Sequence, residues 1–148
     1  MNPAEGVRRA RAEDAALLRD ITREAYAKWV APIGREPAPM RDDFEARAAS
    51  GQAWLLGEEA LCILEEKPDA LLLDNVAVRP AAQGRGLGRQ LIAFAEKEAR
   101  SRGHRMLRLY TNAKMDTNIA LYEGLGFRET HREDVDVGTR VWMEKELP

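Results

Sequence analysis

Residues 71–89 read LLLDNVAVRPAAQGRGLGR, in which an apolar run ends at Pro80 and leads into glycines at positions 84, 86 and 88. This pattern predicts a strand, a glycine-rich turn and a helix that begins near Leu87. Without Cβ atoms at the glycines, successive backbone N–H groups can converge on an anion. The unpaired amides and positive dipole end of the helix point to the same place. The stretch therefore predicts a phosphate cradle, the alternative being a turn that binds nothing.

The spacing of the glycines argues against two common nucleotide-binding loops. A dinucleotide fingerprint requires a third glycine three places after the second, where this chain has Arg89. A Walker A loop requires Gly-Lys followed by Ser or Thr, which these residues lack. The remaining Gln-Gly-Arg-Gly-Leu-Gly resembles the acyl-CoA-binding signature of the GNAT superfamily of N-acetyltransferases, with Gln83, Gly86 and Gly88 in its three defining positions.

A second motif lies downstream, where residues 118–127 read NIALYEGLGF. It resembles the other GNAT signature, a short helix that carries Leu-Tyr and closes in Gly-Phe. The interval between the motifs fits one helix, Leu87 to about Arg102, and one strand, Arg105 to Thr111, in the order that the family requires. The resemblance implies an α/β fold (α+β mixed sheet): a single acyl-CoA N-acyltransferase domain over residues 1–148, with about seven strands in a central mixed sheet and about four flanking helices.

Hydrophobic periodicity predicts the other elements. A first strand over Val7–Ala10 precedes a helix over about Glu13–Val30, and prolines in residues 31–39 predict a rigid loop. The apolar side chains that recur every four residues on this helix are Leu17, Ile21, Ala25 and Trp29, which define its expected buried face. Further along we expect a helix over Met40–Ala49, a hairpin of Ala53–Gly57 with Ala60–Leu64, a central strand over Leu71–Arg79 and a last hairpin of Phe127–Glu133 with Thr139–Glu146.

The composition limits the class of protein. The 148 residues are 45% hydrophobic and 32% charged, with a formal net charge of -2 that provides no general attraction for nucleic acid. The N-terminus shows no signal pattern and no apolar run approaches the ~20 residues of a membrane span, so we expect a cytoplasmic protein without a membrane partner. Cys62 is the one cysteine, and with two histidines it offers no zinc spacing, so no metal cofactor is expected.

The resemblance implies acetyl-CoA as co-substrate. The amides of the glycine-rich turn suit its pyrophosphate, arginines add charge-assisted contacts, and strand backbone pairs with pantetheine and the thioester carbonyl. Met115 occupies the position of the family's pantetheine-binding asparagine, so Asn118 or Asn112 takes that role, with Asn118 favoured. The expected cofactor contacts are Val76, Ala77, Val78, Gln83, Gly84, Arg85, Gly86, Leu87, Gly88, Arg89, Asn118 and Asn112.

Two residues are catalytic candidates. The resemblance implies direct attack of an amine on the thioester in a ternary complex, with the Tyr122 hydroxyl beside the CoA sulfur as a proton donor. Leu72 stands where some relatives have a strand glutamate. Asp74 lies two residues further on and faces the same side of an ideal strand, which makes it the candidate base. Ordered water is the alternative base.

The acceptor pocket is expected to involve Tyr26, Trp29, Ile33 and Arg35, from the segment that shapes it in the family. Aromatic rings with both charge signs nearby suit a small-molecule amine, which is favoured, but also a peptide N-terminus or a lysine side chain. A noncatalytic acyl-CoA-binding or regulatory domain is the rival from another class, and an enzyme acting on nucleotide phosphates is a more distant one. A homodimer is compatible with the resemblance.

Overall fold

The computed structural model describes residues 6–136 and 138–148, which form seven strands and four α-helices. Three short 3-10 turns, at residues 12–14, 38–41 and 80–82, link them. In chain order the elements are β1 (Val7–Arg9), α1 (Ala15–Ile33), α2 (Phe44–Ala49), β2 (Ala53–Leu56), β3 (Ala60–Glu66), β4 (Leu71–Val78), α3 (Leu87–Ser101), β5 (Met106–Asn112), α4 (Asp116–Gly124), β6 (Arg128–Val135) and β7 (Gly138–Glu146).

The strands form one mixed sheet in the order β1-β2-β3-β4-β5-β7-β6. Only the pair β4 and β5 is parallel, as the α3 crossover between them requires. β4 lies fourth of seven, which confirms its predicted central place, and the mixed α/β fold with this sheet is confirmed as well.

The central pair diverges soon after it forms. The parallel register covers three residue pairs, from Leu71↔Leu107 to Leu73↔Leu109. Beyond Leu109, β5 continues beside β7 as far as Asn112↔Arg140, while β4 continues beside β3. A gap therefore opens between β4 and β5 along the second half of β4.

A β-bulge at Asp74 stands where the gap begins. Ile63 of β3 pairs with Asn75 but the next residue, Leu64, pairs with Leu73, so Asp74 is the extra residue on β4. Leu73 packs in the core beneath α3, whereas Ala77 packs in the core beneath α1 and α2. The bulge thus reverses which residues of β4 face each side of the sheet.

Helix α1 differs from its prediction in length and in its buried face. It continues through Pro32 to Ile33, because only one helical residue follows the proline and the distortion by its ring and its missing N–H is confined to the last turn. Gly34 ends the helix at φ 89° with its N–H on the Val30 carbonyl at 2.7 Å. The buried residues are Ala15, Leu18, Ile21 and Thr22. Of the predicted face only Ile21 is fully buried, since Ala25 and Trp29 line a groove instead.

The second helix also begins later than predicted. The helix expected over Met40–Ala49 is a 3-10 turn at residues 38–41 followed by α2, because the Asp43 carboxylate accepts the Ala46 N–H at 3.0 Å and so caps a helix that begins at Phe44. The last hairpin consists of β6 and β7, close to the predicted positions.

Candidate active site

The glycine-rich turn presents a row of backbone N–H groups at the start of α3. Gly84 and Gly86 adopt φ 86° and 79°, values that residues other than glycine rarely adopt. Gly86 is the N-cap of α3, has no side-chain cap, and its carbonyl accepts the first helical bond from the Gln90 N–H at 3.0 Å. The N–H groups of residues 86–89 therefore have no partner within the helix and can bind an anion.

The β4 backbone faces the gap at alternate residues. The Arg79 N–H donates to the Glu59 carbonyl on the β3 side at 2.8 Å, so in a regular strand the Val76 and Val78 N–H groups point the other way, into the gap. Two side chains already reach these residues from that side: the Tyr26 hydroxyl lies 3.4 Å from the Val76 carbonyl, and the Gln83 amide donates to the Val78 carbonyl at 3.2 Å.

A groove of ≈ 430 Å³ runs from this gap to the turn. The predicted cofactor residues that line it are Val76, Ala77, Val78, Gln83, Gly84, Gly86, Leu87, Gly88, Arg89 and Asn118. The Ala77 backbone itself pairs with β3 at Leu61. Arg85 lies outside the lining because its guanidinium pairs with Glu59 at 2.6 Å.

The groove also has apolar walls that the motifs did not indicate. Trp29 of α1, expected in the acceptor pocket, lines this groove, with the Lys28 ammonium 5.3 Å from its ring centroid. Leu121 of α4 lines the opposite side and is 37% exposed, which makes it the only exposed large hydrophobic side chain in the described part of the chain. An apolar wall of this kind suits a long, partly apolar ligand.

A second cavity, of ≈ 220 Å³, lies on the far side of the gap. It is enclosed by β4, β5, the start of α4, residues 37–41 and the end of the β6–β7 hairpin. Asn112 lines this cavity rather than the groove, which leaves Asn118 as the asparagine that reaches the groove. The residues common to both spaces are Tyr26, Val76, Asn118 and Tyr122.

Three of the four residues predicted for the acceptor pocket lie outside this second cavity, and one of them, Trp29, lines the groove. Ile33 and Arg35 are absent from its lining, since α1 ends beside it rather than within it. The Arg35 guanidinium instead donates to the Asp136 carbonyl at 3.1 Å and so joins the loop after α1 to the β6–β7 turn. Tyr26 is the member of the predicted set that faces the cavity.

Tyr122 stands in the wall between the two spaces. Its ring packs edge-on against Phe127 with centroids 5.9 Å apart, and its hydroxyl makes no hydrogen bond with another described residue. Burial raises the pKa of Tyr122 to about 12. At neutral pH the hydroxyl is therefore a protonated hydrogen-bond donor.

Asp74 lines the second cavity and is fixed by two partners. Its carboxylate accepts hydrogen bonds from Arg47 of α2 and from the Tyr110 hydroxyl of β5, each at 2.8 Å. Burial raises the pKa of Asp74 above its usual range, although both partners act to lower it. Arg47 is itself held by Asp42 at 2.9 Å and Glu65 at 3.2 Å. No periodicity or motif marked Arg47 or Tyr110, because only the fold brings them to Asp74.

No described group of three or more His, Cys, Asp or Glu side chains is arranged to hold a metal ion. Within residues 6–136 and 138–148, the helices also lack the combination of length and apolar character that crossing a bilayer requires.

Comparison with known proteins identifies the family to which this fold belongs. Residues 49–129 match the family model "Acetyltransferase (GNAT) domain", which is more than half of the chain. The chain therefore belongs to the GNAT acetyltransferase family, as its two motifs predicted.

Relatives in this family have different acceptors in their names. The [ribosomal protein bS18]-alanine N-acetyltransferase of Salmonella typhimurium is 43% identical over 70 residues, 47% of each chain. Mycothiol acetyltransferase of Amycolatopsis mediterranei is 43% identical over 63 residues, which are 43% of this chain and 21% of that protein. The chain thus spans about half or less of the length of these curated relatives.

Solved structures share the fold over nearly the whole chain. The PaiA N-acetyltransferase of Thermoplasma acidophilum, in complex with coenzyme A, has a TM-score of 0.77 at 20% identity and covers 95% of this chain and 97% of its own. The ribosomal-protein-S18-alanine N-acetyltransferase of Escherichia coli has a TM-score of 0.71 at 26% identity, with 95% and 92% covered.

Proposed function

We propose that this chain transfers an acetyl group from acetyl-CoA to a primary amine by direct attack in a ternary complex. The observation that carries the proposal is the wall shared by the groove and the second cavity, at Tyr26, Val76, Asn118 and Tyr122. A thioester in the groove and an amine in the cavity can meet there in one complex, so that no covalent enzyme intermediate is needed.

The groove provides a binding group for each part of the cofactor. The pyrophosphate binds the N–H groups of residues 86–89, supported by Arg89 at the edge of the groove. Pantetheine lies along the open side of β4 between Trp29 and Leu121. A thioester carbonyl near the gap accepts the Val76 or Val78 N–H, and one such donor to a developing oxyanion is worth about 3 kcal/mol.

The acceptor side must provide a neutral amine. An alkylamine has a pKa near ~10, so only about one molecule in a thousand is neutral at pH 7. Asp74 is the proposed base, directly or through one water, because burial strengthens its affinity for a proton. The amine nitrogen then bonds to the thioester carbon, the C–S bond breaks, and the sulfur leaves as thiolate beside the Tyr122 hydroxyl.

The shape of the acceptor cavity favours a small molecule over a peptide. Its volume is ≈ 220 Å³, and the Arg35 bridge to the Asp136 carbonyl ties together the two loops beside it. A peptide N-terminus is the second candidate acceptor, because curated relatives act on a ribosomal protein alanine according to their names.

Three measurements test the proposal. Calorimetry with CoA should show saturable binding that ATP and NAD do not displace. Thiol release from acetyl-CoA should depend on the added amine across a library of small amines and short peptides, and Tyr122→Phe should slow it. CoA binding without amine-dependent release would instead support a noncatalytic acyl-CoA-binding domain, and absence of CoA binding would refute both.

A further inference from the structure

The charged side chains that line the acceptor cavity have a definite order. Asp74 lies beside the gap, and Arg41, Asp136 and Arg140 come from the loop and hairpin farther from β4. Arg47, which does not line the cavity, pairs with Asp74 at 2.8 Å and balances its charge. The outer part of the cavity therefore has two guanidinium groups against one exposed carboxylate.

Arg140 of β7 is held in place by stacking, which leaves its donors available. Its Cζ atom lies 4.2 Å from the centroid of the Tyr110 ring and 5.8 Å from that of Trp142. Its ion-pair partner Glu133 is 3.8 Å away, beyond hydrogen-bond distance, and already accepts the Trp142 indole N–H at 2.8 Å. A guanidinium that packs over an aromatic ring still has N–H groups at its edge, and these can bind a carboxylate in a bidentate manner.

Tyr110 fixes the spacing between the two charges. Its hydroxyl donates to the Asp74 carboxylate at 2.8 Å and its ring face carries Arg140. An amine placed at Asp74 and an acid placed at Arg140 are therefore separated by little more than one phenol ring. That distance fits a molecule whose amino and acidic groups are a few bonds apart.

We propose, on the basis of the acetyl transfer proposed above, that the acceptor is a small amine that also carries a carboxylate, with Arg140 as the specificity-determining residue and Arg41 as its support. A peptide N-terminus presents a neutral amide where the carboxylate lies, so it gains no charge-assisted hydrogen bond there. A polyamine brings a second cation toward two arginines, which is unfavourable.

The test compares matched acceptors. Initial rates are measured with a series of amino acids, their carboxamides, and diamines of equal length, using the native chain, Arg140→Gln and Arg132→Gln. Arg132 is the control because it pairs with Glu129 at 2.9 Å on the exposed face of β6, outside the cavity. We expect kcat/KM for the best acid to exceed that of its carboxamide about tenfold or more. Arg140→Gln should remove most of that preference at unchanged KM for acetyl-CoA, and Arg132→Gln should retain it.

Binding measurements separate this inference from the proposed function. Calorimetry of the same acid and carboxamide pairs on CoA-loaded protein reports selectivity without turnover. Acid-selective binding with no acetylation contradicts the proposed function and supports the acid site. Any of three results would overturn the acid site. Carboxamides or diamines would be acetylated as efficiently as acids, Arg140→Gln would lower kcat/KM equally for all acceptors, or the acid and its carboxamide would bind equally well.

Discussion

Replacing Tyr122 by phenylalanine removes one hydroxyl and retains the ring that packs against Phe127 at 5.9 Å. The pKa of Tyr122 is about 12, whereas a thiol such as that of CoA ionises near ~8.5. Complete proton transfer from this phenol to the departing thiolate is therefore uphill by about 3.5 pH units, or ~5 kcal/mol. The hydroxyl should stabilise the leaving sulfur as a hydrogen-bond donor and keep its proton.

This role of the Tyr122 hydroxyl determines how much kcat should fall when it is removed. A hydrogen bond to a charged group contributes about 1.5–3 kcal/mol, which corresponds to a factor of about 10 to 150 in rate. Tyr122→Phe should lower kcat by that factor at saturating acetyl-CoA and leave the Kd for CoA unchanged. Thiol release followed from pH 6 to about 9.5 measures kcat, and calorimetry measures the Kd.

Phe127→Leu provides the control, because it disturbs the ring contact of Tyr122 but leaves the hydroxyl in place. It should lower kcat far less than Tyr122→Phe does. A loss of less than about threefold in Tyr122→Phe would show that the hydroxyl does not stabilise the transition state. If the pH profile of kcat had a basic limb below about pH 10, and Tyr122→Phe removed that limb, the phenol would be shown to transfer its proton.

Three other outcomes follow from the geometry. Gly86→Ala forces alanine to φ 79°, although there is open space around the added Cβ. Urea unfolding should show a free energy of unfolding about 1–2 kcal/mol lower, and calorimetry should show weaker binding of CoA. Unchanged values of both would contradict the N-cap assignment. Arg47→Gln removes a charge that lowers the pKa of Asp74, so the acid limb of kcat/KM should move to higher pH, and a fixed limb would argue against Asp74 as base. Leu107→Ala empties a fully buried position and should cost about 2–5 kcal/mol in urea unfolding, whereas a cost under about 1 kcal/mol would place Leu107 outside the core.

Local chemistry explains why the central part of the fold could be predicted. The observed β4 and α3, Leu71–Val78 and Leu87–Ser101, match the expected elements to within a residue, since an apolar run, a proline and three glycines each act on their own neighbourhood. The predicted end of α1 was wrong because the free-energy cost of a proline depends on its position in a helix. At Pro32 only the last turn is affected.

The motifs mark some of the residues that line the two spaces, whereas the residues that tertiary packing adds carry no signal in the sequence. The glycine-rich turn lines the groove and Tyr122 lines both the groove and the cavity, and their roles in binding and catalysis stay predictions. Trp29 lines the groove and not the cavity expected for the acceptor, because the angle at which α1 crosses the sheet leaves no periodic signal. Arg47 and Arg140 come from elements far from either motif and only the folded sheet brings both near Tyr110.

The bulge at Asp74 also sets the tolerance of β4 to changes in length. If Asp74 alone were deleted, the pair Leu64↔Leu73 would be followed directly by Ile63↔Asn75, which is already the register on the two sides of the bulge. The amides of Val76 and Val78 would still face the gap, but the carboxylate that Arg47 and Tyr110 hold would be gone. A homologue with β4 shorter by this one residue should therefore keep the groove and lack the acidic group beside it.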